Sequence, residues 1–134
     1  MKPEINECFG WVWITLGFAT GAVLGMFFRR EGWLGGYASL PRRMVRLGHI
    51  SLVALGALNV LFALTMARAN FAGASLAWAG VAGVGMIVGG ITMPLACGLV
   101  ARKESAHPVF VVPVLSLLAA GAILSVLLTN RLFS

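Results

Sequence analysis

Four long apolar runs separated by short polar stretches dominate the chain: roughly Phe9 to Phe28, Leu47 to Ala67, Ser75 to Ala101 and Val109 to Thr129. Each is long enough to cross about 30 Å of hydrocarbon at about 1.5 Å of helix rise per residue. The pattern predicts an all-α chain, an integral membrane four-helix up-down bundle, with residues 1–134 as a single transmembrane domain. The short connections imply antiparallel neighbours. The first run follows Lys2, Glu4 and Glu7, a mixed-sign start with no small-x-small cleavage site after it, so it reads as a retained span and not a signal peptide.

Small residues recur at helical spacing inside the runs. Gly17, Gly21 and Gly25 make one small face on the first helix, and Gly85 with Gly89 makes another on the third, continuing Ala79 and Gly83. The fourth adds Gly121 and Ser125. In lipid, helices associate through such faces because backbones can approach closely there. Pro94 is expected to kink or break the third helix near Gly90. His107-Pro108 reads as the start of the fourth helix, and Pro113 as a bend one turn later.

Composition supports lipid as the solvent. Hydrophobic residues make up 60% of the chain and charged ones 10%, against about a quarter charged in soluble domains. The net charge of +6 does not point to nucleic acid, because the basic residues sit between apolar runs and not along one face. Arg29, Arg30, Arg42, Arg43 and Arg46 flank the first loop, Arg102 and Lys103 the third, and only Lys2, Arg68 and Arg131 lie on the other side. That bias places the first and third loops in the cytoplasm and both termini in the periplasm of a bacterial inner membrane. Trp11, Trp13, Trp33, Tyr37 and Trp78 fall near span ends, where amphipathic rings favour the interface. Cys8 and Cys97 then lie near opposite faces, too far apart for a disulfide.

Candidate chemistry is sparse. No Asp, Glu, Lys or Arg lies at mid-membrane, which argues against a proton-coupled antiporter or pump. No Ser-His-Asp set, phosphate loop or carboxylate pair is present, so no catalytic activity is expected. His49, Gly56, Asn59, Ala63 and Met66 share one face of the second helix. Asn59 is expected to bond a neighbouring helix, worth about 1 kcal/mol or less, and Arg46 to snorkel towards lipid headgroups.

His49, His107, Met93 and Cys97 come to the same side by the orientation above. Two histidines on different helices suit a b-type haem, here His49 and His107 with Arg46, Arg42 or Arg43 near the propionates. The set His49, Met93, Cys97 and His107 suits copper. The commoner role of a histidine at this depth is a bond to a backbone carbonyl or headgroup, and that of Met93 with Cys97 is packing.

The stretch Gly21-Ala22-Val23-Leu24-Gly25-Met26-Phe27-Phe28-Arg29 resembles the glycine-rich first helix of the small fluoride channels, and Asn59 is a second point of agreement. The resemblance implies a homo-oligomeric channel. It stops at the third helix, where that family carries a Thr- and Phe-rich break lining the ion path and Ser75 to Ala101 has no such element and no phenylalanine.

The leading expectation is a small accessory or structural subunit of a larger membrane complex, such as an oxidase or photosynthetic assembly. Its partners are the lipid bilayer and other membrane subunits or itself, with no nucleic acid. A b-haem electron carrier using His49 and His107, and a small homo-oligomeric ion channel, are the alternatives.

Overall fold

A computed structural model describes residues 2–133 and is helical throughout, with no strand among the described residues. Four helices are long and apolar enough to cross a membrane. They are α1 (Pro3–Phe27), α2 (Leu40–Ala69), α3 (Gly73–Arg102) and α4 (Val111–Leu132). A 3-10 turn at Trp33–Gly35 lies between α1 and α2, and a longer one at Glu104–Phe110 leads into α4.

The first two helices start well before their apolar runs, and local chemistry explains why. In α1, Pro3 opens the first turn with Glu4 beside it, a proline preset for helix and an acid favoured by the helix N-terminus. Asn6, Cys8 and Phe9 are therefore helical. In α2, the Ser39 hydroxyl oxygen accepts from the Arg42 backbone N–H at 3.3 Å, and Pro41 occupies the first turn. Arg42, Arg43 and Arg46 thus stand on the first two turns of α2 and not in a loop. Asn70 closes α2 in the left-handed conformation, its N–H donating to the Met66 carbonyl.

The prolines sit at different points of their helices. α3 continues through Pro94 without a break. Proline has no N–H to give the carbonyl four residues back, and that orphan, Gly90 O, accepts instead from the Trp13 indole at 2.9 Å. Trp13 is consequently half-buried, its indole on α3 and Phe9 tilted against it at 4.3 Å. His107 and Pro108 belong to the 3-10 turn, so α4 begins at Val111. Pro113 then falls in the first helical turn, where an intrahelical donor is not required.

Glycines decide how closely the helices approach. A Cβ on Gly10 would stand 2.6 Å from the Gly56 carbonyl oxygen, and one on Gly56 would stand 2.7 Å from the Gly10 oxygen. Gly17 meets Val53 and Gly21 meets the His49 ring, so the partner position falls along α2 as the position rises along α1. Between α2 and α3, Asn59 reaches Met86 while Gly48 faces Pro94 and Cys97, again in descending register. Gly85 packs on Ser116 and Ala120, and Gly89 on Leu117. Gly25 and Gly121, by contrast, have open space in front of them.

The enclosed core lies along α2 and α3. Phe62, Met66, Ala79, Ala82, Met86 and Ala120 form its apolar cluster. Beside it sits a polar tie: the Asn6 amide donates to Asn59 Oδ1 at 2.8 Å and to the Gly83 carbonyl at 3.0 Å. Asn59 in turn donates to the Leu55 and Met86 carbonyls, at 2.8 and 3.3 Å. Three helices are joined by two amides.

Candidate functional site

The charged end of α2 carries three residues on one face, Arg42, Arg46 and His49, at spacings of four and three. Arg42 is 3% exposed, which is rare for a guanidinium without a carboxylate to pair with. Its partners are backbone carbonyls: Phe28 O at 3.1 Å and Glu31 O at 3.4 Å. The rings of Phe28, Trp33 and Tyr37 surround it, each about 5.5 Å from the guanidinium carbon. Its Nε is enclosed and has no hydrogen-bond partner.

The segment between α1 and α2 folds over this charge. Leu34 adopts φ of 53°, followed by Gly35 and Gly36 at 83° and 95°. Leu34 is held in that left-handed conformation by its carbonyl, which accepts from the Ser39 hydroxyl at 2.6 Å. Ser39 therefore serves both the turn and the start of α2. Arg46 places its guanidinium 4.3 Å from the Tyr37 ring centre.

His49 is the polar group nearest these arginines along α2. The Thr20 hydroxyl donates to Gly17 O at 3.0 Å, and its oxygen lies 3.2 Å from His49 Nδ1. The hydroxyl and the imidazole can each donate or accept across this contact, so either tautomer of His49 satisfies it. Gly21 lets the ring come close to α1, since a Cβ there would stand 2.8 Å from its Cε1.

Two cavities adjoin His49. One, of about 380 Å³, is lined by Arg42, Arg46 and His49 with Phe28, Trp33 and Leu24 among others. The second, of about 430 Å³, is almost wholly apolar and lies among α1, α2 and α3, with Leu24, Val45, His49, Pro94 and Cys97 on its walls. Leu24 and His49 belong to both.

The other expected ligands are distributed differently. Cys97 is fully buried and shares a cavity with His49. Met93 and His107 line a third cavity, of about 590 Å³, with Leu47, Ser51 and Phe110. The haem pair His49 and His107 thus line separate cavities, and the four copper candidates are divided two and two. No group of three His, Cys, Asp or Glu side chains converges among the described residues. Of the packing residues, Gly17, Gly21, Gly85, Gly89 and Asn59 lie at helix contacts, and Gly25 does not.

Asn6, Gly10, Trp13 and the aromatic box around Arg42 were not foreseen. Asn6 fell outside the first apolar run. The box depends on a turn of Gly and Leu at positive φ that no periodicity reveals. Comparison of the chain with protein-family models, with curated proteins and with solved structures gives no match.

Proposed function

We propose that the chain is an integral membrane protein whose four helices cross the bilayer up and down, and that it serves as an accessory subunit docked inside a larger membrane complex. Insertion is supported by four helices of spanning length and by the basic residues. Arg29, Arg30, Arg42, Arg43 and Arg46 lie around the turn between α1 and α2, and Arg102 and Lys103 end α3. In descending register these are one end of the bundle, the end the positive-inside rule assigns to the cytoplasm.

Gly25 on α1, Gly98 on α3 and Gly121 on α4 each have open space in front of them, but Gly25 and Gly98 line cavities of this chain, so the observation that carries the docking reading is Gly121. Glycine in a helix interior costs about 1 kcal/mol relative to alanine. Where no neighbour crowds it within the chain, that cost has a use if another helix backbone comes close. Gly121 sits on α4, which like α1 buries only 11% of its most apolar stretch, against 39% and 33% for α2 and α3.

Gentle extraction of the native protein followed by native electrophoresis and mass spectrometry tests this. The chain is expected to migrate with other membrane polypeptides, and Gly121→Leu to release it. A lone monomer in mild detergent, unchanged by the substitution, sinks the reading.

A further inference from the structure

We infer that the cavity formed by Arg42, Arg46 and His49 is a headgroup site for an anionic phospholipid, with an acyl chain lying along the apolar cavity next to it. The inference rests on the bilayer insertion proposed above.

Charge is the first ground. Arg42 is removed from water, yet its polar contacts are two backbone carbonyls and its Nε has none. Carbonyl dipoles and ring faces stabilise a guanidinium but leave its net charge uncompensated. Arg46 adds a second positive charge to the same cavity, held by the Tyr37 ring. Two cations fixed in one recess, with no carboxylate among the lining residues, complement a phosphate.

Shape is the second ground. The cationic cavity and the apolar one have Leu24 and His49 in common, so a polar head and a hydrocarbon tail find matched surroundings side by side. A free phosphate would use only the first. His49 is the third ground: its ring lines both cavities, and an imidazole bonds a headgroup hydroxyl in either tautomer, which suits a headgroup bearing hydroxyls beside its phosphate. Phosphatidylglycerol has that chemistry, and basic recesses between transmembrane helices are known to select such headgroups.

Native mass spectrometry of the purified full chain in detergent, with phosphatidylglycerol or phosphatidylcholine of the same acyl chains added, tests the inference. One phosphatidylglycerol per chain is expected to survive collisional activation that strips phosphatidylcholine. Arg46→Gln is expected to weaken that retention at least tenfold, while Arg43→Gln, which removes an equal charge from an exposed neighbouring position, leaves it within twofold. Arg42→Lys serves as a second cavity variant that keeps the charge but loses the fork, and is expected to lie between the two.

Equal retention of both lipids, or equal effects of Arg43→Gln and Arg46→Gln, overturns the site. Full displacement of the lipid by millimolar inorganic phosphate assigns the site to a soluble anion and overturns the lipid. Bilayer insertion fails by a separate measurement: the chain would leave membranes in alkaline carbonate.

Discussion

Asn6 Nδ2 donates to Asn59 Oδ1 over 2.8 Å at a point where both side chains are wholly enclosed. The bond joins α1 to α2, and each amide also reaches a carbonyl of α3, Gly83 for Asn6 and Met86 for Asn59. An amide buried in apolar surroundings costs little only while its partners are present. Asn59→Ala is expected to lower stability by about 1–3 kcal/mol, because it strips Asn6 of a partner as well as removing its own bonds. The double variant with Asn6→Ala should lose less than the two singles together, by about 0.6–1.7 kcal/mol. A double-mutant cycle of detergent unfolding reads this directly, and strict additivity would refute the coupling.

Close helix contact and open helix face make opposite demands on glycine. At Gly10 the new methyl would meet a backbone oxygen at 2.6 Å, and backbone cannot swing aside. Gly10→Ala is therefore expected to destabilise by about 1–3 kcal/mol even though alanine is the better helix former. Gly25→Ala has nothing to meet, so in the isolated chain it should be neutral or stabilise by up to about 1 kcal/mol. Thermal unfolding of the two purified variants checks the contrast. Similar behaviour of both would show that the α1 to α2 approach is looser than described.

How much of this was legible depends on the physics each feature uses. Apolar length and glycine spacing are local properties of the chain, so the four helices and the contacts at Gly17, Gly21, Gly85 and Gly89 could be read directly. Helix starts were misread because Glu4, Glu7 and the three arginines look like loop. In fact Pro3 and the Ser39 cap carry the helix through those charged turns. Asn59 announced itself by sitting inside an apolar run, whereas its partner Asn6 sat outside one. The positions of Met93 and His107 relative to His49 depend on helix rotation, which spacing along the chain does not determine.

Arg42 holds the turn between α1 and α2 from within. Its guanidinium donates to the carbonyls of Phe28 and Glu31 and fills the space among Phe28, Trp33 and Tyr37. A lysine presents a point charge with no planar fork to reach two carbonyls and stack on rings together. Arg42→Lys is expected to leave the helices folded while backbone amides in residues 28–39 exchange at least tenfold faster. Hydrogen exchange with mass spectrometry resolves the segment. Unchanged protection there would mean that Ser39 and the glycines hold the turn without the arginine.

Trp13 and Pro94 are linked through an atom that belongs to neither. Pro94 leaves Gly90 O without its intrahelical donor, and the Trp13 indole supplies one at 2.9 Å. Trp13→Phe keeps most of the ring packed against Phe9 but orphans that carbonyl, at a cost of about 1–3 kcal/mol if it is buried. Gly90 is enclosed, and a Cβ on it would stand 2.8 Å from the Phe9 ring, so water has little room to replace the indole. Pro94→Ala restores a backbone N–H four residues along. In that background Trp13→Phe should cost markedly less, since the carbonyl regains a partner within α3. The comparison needs four purified proteins and one unfolding assay. An equal cost of Trp13→Phe with and without the proline would mean that the indole stabilises by its bulk alone, and that the carbonyl at the proline step is satisfied by some other route.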